Sequence, residues 1–517
     1  MDVSNGISHP LPRPPNSAPP LLAVRAAPGT AATFDNSHYG LTKPAHLKLN
    51  PATPIQAHQH TFLNDGNLKA SGHSVWEHGY SFSLNNSLIL ETSDRADQIH
   101  ISQASDDQLN VRINGLLYRF ASLDNDGKPL PLHVKTHGGN DNVRIDANVM
   151  QPIVIEAGNG DDRVQAGGGY TRVFGGNGND VVRLGSGLGY AEGNDGDDLL
   201  MGGTGDSVLY GNNGNDRLYA GAGSSRKTSY LDGGNGNDRL YAGSGHTVLH
   251  GGAGNDRLIG HDRSTFYSGK GCDTVIANRP GDRIYAKPGD SIKHLNGSVL
   301  TAVSVHAGPI KGFVIKGSPA FIQRVEDDLT LLRSSPQGQQ MLAEMAAAAQ
   351  RNGAPVTLVE DRLEAGSGYI YGSQELKALL QNERAPVVGD DPKWGFMVDG
   401  VPGSRADRAH IEYNRSQLNG MAGTTYAPII GLYHEMAHAY NAANGTALTG
   451  STREVVEGEA HEVPNSERQA VGLESSATAF DFDNDPATPA TTTNPKPFTE
   501  NALNEEMGRP PRTQYVG

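Results

Sequence analysis

The sequence predicts a multidomain chain: a disordered N-terminus, an all-β parallel roll or solenoid, then an α+β domain. Three observations predict it. Glycine is far above ordinary usage, with 65 in 517 residues, and it gathers in aspartate-bearing turns at a fixed interval. Beyond about residue 310 that interval fades and apolar residues recur with helical spacing. Residues 1–75 are rich in Pro, Ser, Asn and His and show little periodicity, the mark of a segment that buries no core. The expected parts are therefore 1–75, a β-rich region over 76–305 with repeats at about 137–285, and a globular domain over 306–517.

Taken in order, the stretch from about 80 to 135 alternates apolar and polar residues, as in "YSFSLNNSLILETS" and "QLNVRINGLLYRFAS". It reads as strands, with Asn114-Gly115 as a hairpin turn. The repeat then places aspartates at Asp162, Asp180, Asp198, Asp216, Asp238, Asp256 and Asp273, at intervals of 18, 18, 18, 22, 18 and 17. Nine residues after the first six come Thr171, Gly189, Ser207, Ser225, Thr247 and Thr265. The unit is thus nine residues, an acidic turn alternating with one that has lost its acid. Two residues past each turn position sits a residue such as Val164, Val173, Leu200, Leu218 or Leu258, of the kind that points inward from a short strand. Farther on, Ser318-Pro319 reads as a helix cap and first residue, followed by Phe321, Val325, Leu329 and Leu332. The pieces "APVTLVED", "WGFMVDG" and "AHIEYN" read as strands.

Composition excludes several classes. A net charge of −15 argues against nucleic acid or an anionic membrane as partner. The single cysteine, Cys272, excludes a disulfide framework and any cysteine metal cluster. No apolar run reaches the ~18 residues of a membrane span. The N-terminal stretch has no charged region before its short apolar "PPLLAV", so a cleaved export signal is not expected.

The chemistry concentrates in "TTYAPIIGLYHEMAHAYNAANG". Thr425 is a candidate cap, Pro428 lies in the first turn and Gly445 ends the helix. His434 and His438, four residues apart, leave one face and can meet a single ion, with Glu435 beside them as a base for water: H-E-x-x-H. A third histidine six residues on is absent, because positions 441 and 444 are asparagine. The third ligand is then sought among Glu454, Glu457, Glu459, Glu462, Glu467 and Glu474, with His461 as an outsider. Glu467 is favoured: Asn465-Ser466 starts a helix, and small Ala470 one turn on permits close packing. Near the end, Arg512 and Tyr515 in an R-x-x-Y spacing offer a cation and a neutral donor for an oxyanion.

Two resemblances follow. The repeat resembles the RTX nonapeptides, GGxGxDxUx, which implies a parallel β-roll with Ca²⁺ held between stacked turns by the seven aspartates. With acids on one edge, it implies one column of about six ions. "HEMAHAYN", "NSERQAVGL" and "TENALNEEMGRPPRTQY" together resemble the effector zinc metallopeptidases of the NleD type, and more weakly clostridial neurotoxin light chains. That resemblance covers about 310–517 and implies one zinc on His434, His438 and Glu467, with Glu435 as general base. It further implies Arg512 and Tyr515 on the oxyanion and Glu500 orienting a zinc histidine. It implies a secreted bacterial endopeptidase, injected by type III secretion, that cleaves a host signalling protein. The competing readings are a calcium-binding toxin or adhesin module with an inactive zinc domain, and a protease exported by a type I system.

Overall fold

The computed structural model describes residues 32–33 and 55–516, apart from 78–82, 106, 125–126, 294–296, 306–307, 362–365, 375–376, 378–389, 419–425 and 483–484. The chain divides into two compact units. One comprises Met1–Ser264, Gly271–Pro280 and Ser291–Asn296; the other comprises Thr265–Lys270, Gly281–Asp290 and Gly297–Gly517.

The first unit is a parallel β-solenoid capped at its start by antiparallel strands. Arg163–Gln165, Val181–Arg183, Leu199–Met201, Arg217–Tyr219, Arg239–Tyr241 and Arg257–Ile259 stack in one ladder. Ile153–Asn159, Thr171–Asn177, Gly189–Asp195, Ser207–Asn213, Thr228–Asn235 and His246–His250 stack in the other. Register brings like residues over like: Val164, Val182, Leu200, Leu218, Leu240 and Leu258 form one buried column, and Val173, Ala191, Leu209, Leu231 and Leu249 the facing one. Each short strand thus points one apolar residue inward, and stacking closes a core that no single coil has.

Two details depart from the expectations. Ile55–Asn64 and Lys69–Glu77 pair as antiparallel strands, although residues up to 75 were expected to lack structure. Ala70, Ser71 and Ser74 are buried there, so small and polar residues fill buried positions and low hydrophobicity hid the strands. Ala32–Thr33 pairs in parallel with Tyr118–Arg119; the rest of the expected disorder before residue 55 lies outside the described residues. Second, the partner of Ser207 in the next coil is Ser229, not Ser225, because the four extra residues of the 22-residue interval bulge out before the strand resumes. Asn114-Gly115 is the expected hairpin, with φ 51° and 88° between Gln108–Ile113 and Leu116–Ala121.

The acidic turns form a ladder along one edge. Each aspartate accepts, through Oδ1, the backbone N–H of the aspartate one coil earlier: Asp141 from Asp97, Asp162 from Asp141, Asp180 from Asp162, Asp198 from Asp180, and so on to Asp273 from Asp256. Oδ2 of Asp141, Asp162, Asp180, Asp198, Asp216, Asp238 and Asp256 is buried with no hydrogen-bond donor. A Cβ at Gly193 would collide with Asp198 Oδ2 and lie 2.8 Å from the Gly211 carbonyl, so glycine there leaves room for a carboxylate and a carbonyl to converge. Asp141 extends the column beyond the seven expected acids. The opposite edge is not free of acids, since Asp206 accepts the Thr228 N–H at 2.8 Å.

In the second unit, α1 (Pro319–Ser334) starts on Ser318, whose hydroxyl accepts the Phe321 N–H, and α2 (Pro336–Asn352) starts on Ser335 in the same way. They pack beside a four-stranded sheet in the order Phe313–Lys316, Val356–Glu360, His410–Tyr413, Gly368–Ile370, the last antiparallel. Phe321, Val325, Leu329, Met341, Met345, Leu358 and Ile411 are buried in its core. The apolar helix α3 (Pro428–Asn444) is buried on most sides; Thr425, its expected cap, lies outside the described residues. After it come the hairpin Ser451–Val456/Glu459–Pro464, α4 (Asn465–Val471) and α5 (Glu500–Glu506).

Candidate metal centre

Helix α3 begins with Pro428 at its first position, where no N–H is required, and ends at Gly445 in the left-handed conformation, φ 71°. Ile429, Ile430, Leu432, Tyr433, Met436 and Ala437 fix it in the core. The face bearing His434, Glu435 and His438 therefore opens onto a cavity of about 830 Å³. One helical turn sets His434 Nε2 and His438 Nε2 3.1 Å apart.

Glu467 comes from α4. Ala470 is fully buried, as its size suggested, and Gln469 ties the helix down: its Oε1 accepts Leu448 N–H at 3.1 Å and its Nε2 donates to Thr446 O at 3.0 Å. Glu467 Oε2 then lies 3.1 Å from His434 Nε2 and 3.2 Å from His438 Nε2. Among the described residues these three form the one cluster of His, Cys, Asp or Glu atoms close enough to hold an ion. Tetrahedral bonds of ~2.0–2.1 Å place neighbouring donors about 3.3 Å apart, so the triangle already has the size of three corners of such a site.

Glu500 opens α5, capped by the Thr499 hydroxyl. Its Oε2 sits 3.0 Å from His434 Nδ1 and accepts from Arg512 Nη1 at 3.0 Å. A proton on Nδ1 leaves the Nε2 lone pair aimed into the cluster. The electrostatics follow. Burial pushes the His434 imidazole down, but the carboxylates of Glu467 and Glu500 outweigh it and raise it to about 10. Burial pushes the Glu467 carboxyl up, but the two imidazoles hold it far below the usual range. Tyr515 is shifted upward, first by burial and then by the Glu467 carboxylate.

The expected residues thus meet: His434, His438, Glu435, Glu467, Glu500, Arg512 and Tyr515 all line the cavity. The competing carboxylates do not. Glu457, Glu459 and Glu462 are exposed on the hairpin, His461 pairs across it with Glu454, and Glu454 bonds Arg468 instead. Sequence reasoning missed Tyr369, whose ring stacks on His438 at 6.4 Å, and Gln469; no local spacing signals either.

Residues 311–515 match a peptidase family model, M91, described as an effector protein. This region is similar to the M91 peptidases. Residues 155–188, 192–226 and 232–262 match the RTX calcium-binding nonapeptide repeat. Neither the curated proteins nor the solved structures yield a match. The likeness is thus to an effector peptidase family over 311–515 and to calcium-binding repeats over 155–262. Within these repeats the Oδ2 atoms of Asp162, Asp180, Asp198, Asp216, Asp238 and Asp256 are buried without a hydrogen-bond donor.

Proposed function

We propose that the M91 region is a zinc-dependent endopeptidase. The observation that carries this is the triangle of His434 Nε2, His438 Nε2 and Glu467 Oε2, 3.1–3.2 Å on a side, next to Glu435 in a cavity large enough for a peptide segment. Two imidazoles and one carboxylate are a donor set for zinc in peptidases. Zinc there would acidify a water and polarise the scissile carbonyl.

The chain's own groups do the rest. Glu435, one residue after His434 and facing the same cavity, accepts the proton of the attacking water and passes it to the leaving amine. Arg512 and Tyr515 donate to the oxyanion that forms as the carbonyl becomes tetrahedral. Glu500 holds His434 in one tautomer and Arg512 in one place. Calcium in the gaps between successive acidic turns, in one column, would neutralise the aspartates and fix the coils. The effector description supports a bacterial protein delivered by type III secretion; a host signalling protein as substrate is part of the same proposal.

The test uses the full chain. Plasma mass spectrometry should find one zinc per wild-type chain and none in His434→Ala. Terminal-amine labelling of a host-cell lysate should show new protein ends with wild type and none with Glu435→Gln. Cleavage that persists in Glu435→Gln would sink the assignment of the base, and zinc retained in His434→Ala that of the ligands.

A further inference from the structure

Tyr515 lies in a segment, 508–516, without helix or strand, so no backbone ladder holds it over the site. Side chains do this instead. Asn501 brackets Arg512, accepting its N–H at 2.7 Å and donating to its carbonyl at 2.9 Å. The Arg512 guanidinium lies over the Tyr515 ring, 5.1 Å from its centroid, and bonds the Tyr515 carbonyl. The remaining anchor is Glu454. Its two oxygens accept the Tyr515 N–H at 2.9 Å each, and Oε2 also accepts the Val516 N–H at 2.9 Å. Arg468 of α4, next to Glu467, donates to its Oε1.

Glu454 differs from every other glutamate of its hairpin. It is 8% exposed, whereas Glu457, Glu459 and Glu462 face solvent. A buried carboxylate is costly unless it is paired, and this one is paired with a guanidinium and two backbone donors. One of those donors belongs to Tyr515, whose ring lies 6.4 Å from the His434 ring, and the other to Val516 beside it.

We propose that Glu454 is the positioning residue of the peptidase site, gripping the backbone of Tyr515 and Val516 so that the Tyr515 hydroxyl stands ready for the oxyanion. This rests on the metallopeptidase reading above. Glu454 touches neither the three donor atoms nor the reacting groups; it acts through Tyr515. A carboxylate is required because donors approach both of its oxygens, and an amide has one oxygen and turns an NH₂ toward an N–H.

The test needs no substrate. The full chain is loaded with Co²⁺ in place of zinc and titrated with acetohydroxamate, an oxyanion mimic, by visible absorption. Tyr515→Phe should weaken acetohydroxamate roughly tenfold, the scale of one lost hydrogen bond to a charged group. Glu454→Gln should weaken it about as much, and the double variant no further, because one residue works through the other. Glu454→Asp, which keeps both acceptors on a shorter stem, should recover part of the affinity. Cobalt content should not change in any of them. Hydrogen exchange of the 513–516 amides should speed up in Glu454→Gln and not in Tyr515→Phe. Losses that multiply in the double variant, loss of cobalt in Glu454→Gln, or an unchanged affinity in either single variant would overturn the role of Glu454. A wild-type chain that binds no cobalt would overturn the metallopeptidase reading as well.

Discussion

The Tyr267 hydroxyl donates to the Glu506 carboxylate at 2.9 Å, far along the chain but within one compact unit. Thr265 Oγ1 donates to the Met507 carbonyl at 2.8 Å, and Tyr285 to the Glu506 carbonyl at 3.2 Å. The C-terminal end of α5 is thus braced by Thr265–Lys270 and Gly281–Asp290, while Glu500 at its other end holds His434. Glu506 is buried, which raises its pKa, and its second oxygen accepts the Gln337 N–H at 2.8 Å. Tyr267→Phe removes one donor from a buried carboxylate and should cost about 1–3 kcal/mol in the second unit. A fragment starting at residue 306 loses all three contacts, so it should melt well below the full chain and bind zinc more weakly. Equal melting temperatures and zinc affinities by calorimetry would show the brace to be idle.

Glu500→Gln tests the support of the metal site. The amide can still accept from His434 Nδ1, but the charge that holds Arg512 Nη1 at 3.0 Å is gone. Loss of a carboxylate behind a ligating histidine typically costs ~10–100-fold in metal affinity. Competition for zinc against a chelator should show a loss of that order, with Glu467→Ala far worse. An unchanged affinity would mean that His434 is oriented by packing alone.

The roll was legible because its period is a backbone requirement: glycine stands where a carboxylate and a carbonyl converge, as at Gly193, and one apolar residue per strand points inward. The helix with His434 and His438 was legible from its four-residue spacing, and Glu467 from the start at Asn465 and the small Ala470. What stayed hidden depends on distant side chains. Nothing near Glu454 says that it grips Tyr515, nothing near Tyr369 says that it stacks on His438, and nothing near Tyr267 points to Glu506. Asp141 was missed because its turn, "GGND", is one glycine short. Ile55–Asn64 was missed because its strand period is carried by small and polar residues.

The acidic column predicts an inverted pH dependence without calcium. Burial raises the carboxyls of Asp180 to about 8 and of Asp198 and Asp256 to about 9, from an ordinary 3.8. The folded roll therefore binds protons more tightly than the unfolded chain. This contribution is fully present below the ordinary carboxyl range and is lost as pH rises through about 8–9. In EGTA, the roll's transition in circular dichroism should come at a higher temperature at about pH 5 than at about pH 9. With calcium the order should reverse, since protons compete with the ion for the same oxygens. A transition in EGTA that rises toward alkaline pH would rule out the acidic column as the source.

The 22-residue interval predicts a calcium-independent anchor. The bulge before Thr228 delivers Lys227 into the edge opposite the acidic ladder, where it is 2% exposed. Its Nζ donates to the Gly203 carbonyl at 2.6 Å and the Ala220 carbonyl at 2.5 Å, so the chain's own cation sits where carbonyls of successive coils converge. Burial pushes this ammonium down to about 8, opposed by Asp206, so it stays mostly charged at neutral pH. Burying the charge costs stability, but removing it strips two buried carbonyls of their donor, which costs about 1–3 kcal/mol. The second effect should win in Lys227→Met, because the methionine fills the space without supplying a donor. Urea unfolding should show that loss equally in calcium and in EGTA. Asp198→Asn, by contrast, should shift the calcium midpoint, and Arg226→Ala, exposed one residue away, should stay within about 0.5 kcal/mol of wild type. A Lys227→Met chain as stable as wild type would show that water serves those carbonyls as well as the ammonium does.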